Sequence, residues 1–123
     1  MIQILTVKDI QKKKDLCQKA QIAYSDDLYI IAVFDNNETI LEGAIFRYDG
    51  TLGEILWLDM GDDIDLSDGL ARSVLNIMEI RGVETVTLPL SFKVLAQKLG
   101  CKQTTENYLI DLKGFFCCNC QHK

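Results

Sequence analysis

The stretch D-L-S-D-G-L-A-R-S-V-L-N, residues 65–76, decides how this chain is organised. It predicts a loop that becomes a helix at Asp68, with Gly69 at the junction. The helix continues to Arg81, and Gly82 fits the glycine that commonly caps a helix at its C-terminal end. One apolar stripe at helical spacing marks the buried side of this helix. The stripe consists of Leu70, Ala71, Val74, Leu75 and Met78.

The start of this helix is crowded with carboxylates, and two interpretations of it stay open. Asp65 followed by Asp68 resembles a capping box, which indicates a well-capped and solvated helix start. A glycine-containing loop at a helix N-terminus can also hold a phosphate group on backbone N–H groups. Carboxylates that point at such a phosphate oppose its binding. The five acids of this region are Asp59, Asp62, Asp63, Asp65 and Asp68.

The segments around this helix predict an α/β fold. The element order is β-α-β-β-β-α-β-α-β, in which an antiparallel meander precedes β-α-β units, so we expect a mixed sheet with helices on its faces. Residues 1–112 are expected to form a single domain, followed by a cysteine-rich tail at 113–123. A short helix is predicted to begin at a Ser91 cap and to end at Gly100. Strands are predicted at 2–7, 28–34, 39–48, 51–60, 83–88 and 105–112, and the first helix at 8–23.

Composition excludes several classes of function. The chain has 123 residues, 48% of them hydrophobic, and a formal net charge of −5. That charge argues against a nucleic-acid partner, since phosphate backbones are bound mainly by clustered lysine and arginine. No apolar run approaches the ~20 residues that span a bilayer, and the N-terminal residues do not follow the signal-peptide pattern, so we expect a cytoplasmic protein without a membrane partner. The single histidine, His122, leaves no Ser-His-Asp arrangement within the domain.

With its element order and two local motifs, the chain resembles a small, divergent GNAT acyltransferase, the superfamily typified by N-acetyltransferases. In that family the fourth strand leads into a Q/R-x-x-G-x-G/A loop and a long helix. Residues 66–71 correspond to that motif, and Gly69 and Ala71 match it, with Arg72 following. The sequence K-L-G-C at 98–101 is similar to the family's K-L-G-F. The resemblance extends over residues 1–112.

The resemblance implies a co-substrate and the residues that hold it. Acetyl-coenzyme A, or another acyl-coenzyme A, is expected to enter a gap between the fourth and fifth strands. Backbone N–H groups at the loop and helix start are expected to hold its pyrophosphate, and those at the end of the fourth strand to meet the thioester carbonyl. These cofactor-binding candidates are Ser67, Asp68, Gly69, Leu70, Ala71 and Arg72 for the pyrophosphate, and Leu58, Asp59 and Met60 for the thioester.

Two residues are candidates for the chemistry. Acyl transfer to an amine needs a base for the amine proton and donors for the developing oxyanion. Glu54 lies in the apolar strand G-E-I-L-W-L, where some GNAT members carry a catalytic glutamate, and a partly buried carboxylate holds a proton more tightly. The alternative is that Glu54 faces water at the start of the strand. Tyr108 is a candidate acid, with a core aromatic as the alternative.

Departures from the family pattern, together with the acids at the start of the helix, support a competing prediction. Leu66 replaces the motif's Gln or Arg, and Cys101 replaces an aromatic residue. Ala96 stands where many members carry the tyrosine that protonates the leaving thiolate. The first prediction is therefore an N-acyltransferase that acts on a small-molecule or peptide amine. The alternative is a catalytically degenerate GNAT-like module that binds a partner. The sequence leaves the oligomeric state open, and a homodimer is compatible with it.

The C-terminal tail raises a separate, weaker hypothesis. Cys117 and Cys120 have C-x-x-C spacing, and Cys118 and His122 lie beside them. Thiolates and imidazole are zinc ligands, but structural zinc sites usually combine two separated pairs, and no second pair exists here. A tail with free thiols is the preferred interpretation, so no metal site is predicted.

Overall fold

The computed structural model describes residues 3–35, 40–59 and 64–112, without the side chains of Leu41 and of residues 64–67. In the described residues, seven strands form one sheet in the order β1-β2-β3-β4-β5-β7-β6. All neighbouring pairs are antiparallel except β4–β5, which is parallel. The strands are β1 (Gln3–Thr6), β2 (Tyr29–Phe34), β3 (Ile40–Asp49), β4 (Leu52–Leu58), β5 (Thr85–Pro89), β6 (Lys102–Gln103) and β7 (Asn107–Asp111). The helices are α1 (Ile10–Ala20), α2 (Ile64–Ile80) and α3 (Lys93–Leu99), with a 3-10 turn at Leu90–Phe92. The predicted α/β class and its mixed, mainly antiparallel sheet are confirmed.

Helix α1 covers the first part of one sheet face, called here the α1 face. Asp9 caps the helix, because its carboxylate accepts from the backbone N–H groups of Gln11 and Lys12. The helix buries Leu16 and Cys17 against β2, β3 and the residues that flank β1 and β2. The apolar partners of these side chains are Val7, Leu28, Ile30, Ala32 and Ile45.

Helices α2 and α3 cover the opposite face, called here the α2 face. The predicted stripe of α2 is confirmed, because all five of its side chains are fully buried. Leu95, Ala96 and Leu99 of α3 pack into the same core. Gly53 of β4 lets α2 come close to the sheet, since a Cβ there would lie 2.5 Å from Met78 Sδ. This main core holds β4 and β5 under α2.

Several boundaries differ from those expected. Helix α2 begins at Ile64, four residues before the predicted Asp68, so Gly69 lies inside the helix. Ser91 does not cap α3, because a 3-10 turn intervenes and the N-cap residue, Phe92, makes no side-chain cap bond. The two-residue strand β6 was not predicted. Gly100 does end α3 as predicted, with a φ of 75°. None of the described helices is long and apolar enough to cross a membrane.

Candidate active site

Strands β4 and β5 separate after the Glu54–Thr87 pair, and the separation opens a gap in the sheet. Their pairing covers three positions in the described chain, from Leu52–Thr85 to Glu54–Thr87. Strand β4 nevertheless continues to Leu58. Leu56 has no partner in β3, since Ile45 pairs with Trp57 and Phe46 with Ile55. Such a bulge bends a strand and increases its twist, which explains why β4 turns away from β5 here.

The bulge also decides which backbone groups face the gap. The N–H of Asp59 donates to the carbonyl of Gly43 at 2.8 Å, which makes these two residues a hydrogen-bonded pair. Hydrogen-bonded and non-hydrogen-bonded pairs alternate along an antiparallel ladder. Leu58, which faces Ala44, therefore directs its N–H and C=O away from β3, toward the gap.

The three residues predicted to bind the thioester at the end of β4 therefore differ in whether their backbone N–H groups face the gap. Leu58 offers a backbone donor to the gap, as a thioester carbonyl requires. Asp59 does not, because its N–H is bonded to Gly43. The Asp59 carboxylate lies 2.8 Å from Lys19 Nζ, an ion pair that ties α1 to the end of β4. Met60 lies outside the described residues.

The start of α2 displaces the free N–H donors from their predicted positions. Only the first four N–H groups of an α-helix lack a partner within the helix. With α2 beginning at Ile64, the free donors within the helix belong to residues 64–66, and the N–H groups of Gly69, Leu70, Ala71 and Arg72 lie in the helix interior. Ser67 is the predicted residue that lies nearest to these free donors. The contacts of these residues with a ligand remain a prediction.

The acids near α2 are less unfavourable to an anion than the sequence suggested. Arg72 Nε lies 2.9 Å from Asp68 Oδ2, a partly buried pair one turn apart along the helix. Together with the Lys19–Asp59 pair, this neutralises both acids of the region whose side chains are described. The same pair holds the guanidinium that was expected to attract a pyrophosphate. Asp68 therefore does not complete the expected capping box.

Glu54 lines an open cleft of about 550 Å³ on the sheet. Its side chain points to the α1 face, because the neighbouring Gly53 faces Met78 of α2. Helix α1 does not reach this part of the face, so the cleft opens to solvent. The lining residues are Asp27, Arg47, Tyr48, Asp49, Leu52, Gly53, Glu54, Thr87 and Asn107.

The carboxylate of Glu54 is held by an arginine and is not buried. Arg47 Nε lies 3.1 Å from Glu54 Oε1, and the two residues are direct partners across β3 and β4. The Arg47 guanidinium also lies 3.9 Å from Asp27 Oδ2. The Glu54 side chain is 47% exposed, so the expected partial burial is not found. Arg47 therefore orients this carboxylate.

Tyr108 does not face this cleft. Its side chain is 6% exposed and belongs to the main core under α2 and α3. Successive residues of a strand point to opposite faces, so Asn107, not Tyr108, lines the cleft. The structure therefore places the two predicted catalytic residues, Glu54 and Tyr108, on opposite faces of the sheet. Tyr108 is a core aromatic residue, which was the alternative predicted from the sequence.

Sequence reasoning missed four residues, of which Thr87, Asn107 and Tyr48 line the cleft. Thr87 and Asn107 line the cleft, but neither belongs to a recognisable motif. Glu42 on β3 is only 3% exposed and is paired. The sequence signal that could have identified it is an acid within the apolar strand I-L-E-G-A-I-F. Tyr48 also lines the cleft. A hydrogen bond with the Tyr29 side chain, assisted by desolvation, raises the pKa of Tyr48, which keeps its phenol protonated.

The fold is shared with GNAT acetyltransferases of known structure. A GNAT-family acetyltransferase from Desulfovibrio desulfuricans superposes with a TM-score of 0.74 at 7% identity, over 91% of this chain and 99% of that one. A spermidine/spermine N-acetyltransferase from Vibrio cholerae gives 0.72 at 9% identity, over 96% and 98%. The ribosomal-protein-S18-alanine N-acetyltransferase of Escherichia coli gives 0.67 at 12% identity, over 89% and 90%. The chain thus has a GNAT-like fold, as the sequence motifs suggested.

Comparison of the sequence with protein-family profiles and with curated proteins shows no similarity. No protein-family profile matches the sequence. No curated protein matches it either. At 7–15% identity, the structural likeness establishes the architecture, and the activity has to be argued from the residues of this chain.

Proposed function

We propose that the chain is an acyl-coenzyme A-dependent N-acyltransferase, with acetyl-coenzyme A as the simplest donor. The observation that carries the proposal is the separation of β4 and β5 directly after the Glu54–Thr87 pair. A gap of this kind, beside a backbone N–H that points into it, suits a narrow chain that ends in a thioester. The likeness to N-acetyltransferases supports the same assignment.

The residues that are present fit the group. Leu58 N–H is placed to donate to the thioester carbonyl and to stabilise the oxyanion that develops on it. The free N–H groups at the start of α2 and the positive end of its dipole can interact with a pyrophosphate. Gly69 leaves open space beside the helix, since a Cβ there would have no neighbour within 4 Å. The ion pairs of Asp59 and Asp68 reduce the negative charge that opposes such a ligand.

The reaction forms a C–N bond and breaks a C–S bond. The amine nitrogen would attack the acyl carbon of acyl-coenzyme A, and coenzyme A would leave as a thiolate that takes up a proton from solvent. Glu54 accepts the proton that the amine loses, and Arg47 holds the Glu54 carboxylate in the position that this transfer needs. No tyrosine acid is assigned, because Tyr108 lies in the core and Ala96 replaces the tyrosine of the family.

A second candidate is a GNAT-like module that binds acyl-coenzyme A, or another partner, without turnover. Two observations favour it. The guanidinium of Arg72 is held by Asp68, and Glu54 lacks the burial that would strengthen it as a base. Both candidates place a ligand in the gap, so they differ in chemistry and not in location.

One experiment separates the two candidates. Isothermal titration calorimetry with acetyl-coenzyme A measures binding, and mass spectrometry of an amine panel incubated with acetyl-coenzyme A measures transfer. Binding together with an N-acetylated product supports the enzyme. Binding without any product supports a module that binds acyl-coenzyme A. No heat at millimolar acetyl-coenzyme A contradicts the enzyme and supports a module that binds another partner.

A further inference from the structure

The cleft beside Glu54 has the size and the lining of a small-molecule site. Its volume of about 550 Å³ falls within the range of such sites. It adjoins the proposed thioester position, because Glu54 and Thr87 form the last pair before the gap opens. Its residues come from the loop before β2, from β3, β4 and β5, and from the first residue of β7. It is therefore the natural place for the acceptor amine of the proposed reaction.

The ionised groups that line the cleft are unbalanced. Three carboxylates, those of Asp27, Asp49 and Glu54, face one guanidinium, that of Arg47, which gives a formal charge of −2. Arg47 engages Glu54 at 3.1 Å and Asp27 at 3.9 Å. Asp49 forms no ion pair with any residue in the described part of the chain. Within the described residues, the carboxylate of Asp49 is therefore available to pair with a cation from a ligand.

The register fixes the spacing between this carboxylate and the proposed base. Asp49 lies two residues beyond Arg47 on β3, on the same face of the sheet, and Arg47 is the direct partner of Glu54. Asp49 and Glu54 are thus diagonal neighbours, and such positions lie about 7–8 Å apart. A short alkyl chain with a nitrogen at each end can bridge two carboxylates at that spacing.

The neutral groups of the cleft add hydrogen-bonding capacity. Asn107 Oδ1 accepts from Thr104 Oγ1 at 2.9 Å, which leaves the amide N–H groups of Asn107 as donors. Thr87, opposite Glu54, contributes a hydroxyl that can accept from an ammonium. Leu52 adds an apolar surface on which an alkyl chain can lie.

From these observations we propose that the cleft selects a small amine that carries a second positive charge, such as a short diamine. One nitrogen lies at Glu54 and is acylated, while the other, as an ammonium, pairs with Asp49. The proposal rests on the proposed function for the reaction at Glu54, but the selectivity of the cleft for a dication does not depend on turnover. Charge recognition of this kind weakens as salt screens it.

A set of matched amines tests the proposal. Diaminobutane, butylamine and aminobutyrate share one reactive amine and differ in a distal cationic, apolar or anionic group. With saturating acetyl-coenzyme A, we expect kcat/KM to be highest for diaminobutane, lower for butylamine and lowest for aminobutyrate. We expect Asp49→Asn to raise the KM for diaminobutane about tenfold, the size of one lost charge-assisted contact. The preference over butylamine should disappear in this variant.

Glu79→Gln is the matched control, because it removes one exposed acid from α2, on the other side of the sheet. It should leave the order of the three amines unchanged. Equal kcat/KM values for the three amines, or an Asp49→Asn variant that retains the preference, would overturn the proposal.

Direct binding keeps the test independent of catalysis. NMR titration with diaminobutane, in the presence of coenzyme A, which has no acyl group to transfer, should shift the backbone amides of Thr87 and Asn107 in the wild type and much less in Asp49→Asn. If no amine is acylated but this binding is found, the proposed function fails and the cleft specificity stands. If acylation occurs and diaminobutane shows no such binding, the cleft specificity fails and the proposed function stands.

Discussion

Glu54 and Thr87 form the last residue pair between β4 and β5, so the Glu54 carboxylate lies at the point where the two strands separate. Arg47 holds it from the neighbouring strand, with 3.1 Å between Nε and Oε1. Glu54 thus lies beside both the gap, which suits a thioester, and the cleft, which suits an amine. A base is useful at such a position because it lies between the two reactants.

Substitution of the proposed base should lower the rate without removing the donor site. Glu54→Gln keeps the size of the side chain and removes the proton acceptor, so we expect kcat/KM for the amine to fall by about 10²- to 10⁴-fold. The dissociation constant for acetyl-coenzyme A should change little. Steady-state kinetics and calorimetry on the same preparation measure the two quantities.

Tyr108→Phe is the control for that variant. Because the ring lies in the core on the other face, its hydroxyl cannot reach an amine at Glu54. Turnover should therefore stay close to that of the wild type. A Glu54→Gln enzyme with intact turnover, or a Tyr108→Phe enzyme that is inactive but folded, would reverse the assignment of roles.

Gly69 permits a test of the start of α2. A glycine inside a helix costs about 1 kcal/mol relative to alanine, and a Cβ at Gly69 meets no atom within 4 Å. Gly69→Ala should therefore raise the free energy of unfolding by about 0.5–1 kcal/mol, as measured by urea denaturation. If the coenzyme passes close to this open side, the same variant binds acetyl-coenzyme A more weakly. Destabilisation by Gly69→Ala would show that the residue does not lie in an ordinary helix interior.

Gly53 should respond in the opposite direction. A Cβ there would lie 2.5 Å from Met78 Sδ and 3.1 Å from Val83 Cγ1, so α2 or the strand has to shift. We expect Gly53→Ala to lower the free energy of unfolding by about 1–3 kcal/mol. Thermal denaturation alongside Gly69→Ala compares the two glycines directly. Equal stability of the two variants would contradict the close packing of α2 on β4.

The Cys101 thiol should be unreactive at neutral and mildly alkaline pH. Desolvation by burial raises its pKa from 9.0 to about 11, so the folded protein holds the neutral thiol until the pH is well above 9. Two pKa units correspond to about a hundredfold less thiolate at pH 8, and the thiolate is the nucleophile. A brief iodoacetamide pulse, followed by mass spectrometry of the Cys101 peptide, measures this. Labelling as fast as in urea-unfolded protein would contradict the burial.

Much of the architecture was predictable because it rests on local patterns. The apolar stripe from Leu70 to Met78 follows the helical period throughout, and every member is buried. Gly100 has the positive φ that favours glycine at a helix end. The resemblance to GNAT proteins was likewise visible in the element order and in the motif around Gly69.

The site was less predictable because it depends on strand parity and on register. The sequence E-I-L-W-L carries no local sign of the bulge at Leu56, yet that bulge determines that Leu58, not Asp59, faces the gap. Tyr108 and Asn107 are adjacent in sequence, and only the pairing with β5 shows which of them faces the cleft. The start of α2 at Ile64 extends the helix into a stretch rich in aspartate, which favours caps and turns over helix interiors.

The position of Leu58 provides the most direct test of the central claim, that β4 and β5 part to admit an acyl-coenzyme A. We predict that titration of the ¹⁵N-labelled full chain with acetyl-coenzyme A shifts the backbone amide of Leu58 strongly. The amide of Asp59, which is bonded to Gly43, should shift less. An unchanged Leu58 amide at saturating acetyl-coenzyme A, or shifts confined to α1 and β1, would contradict the account.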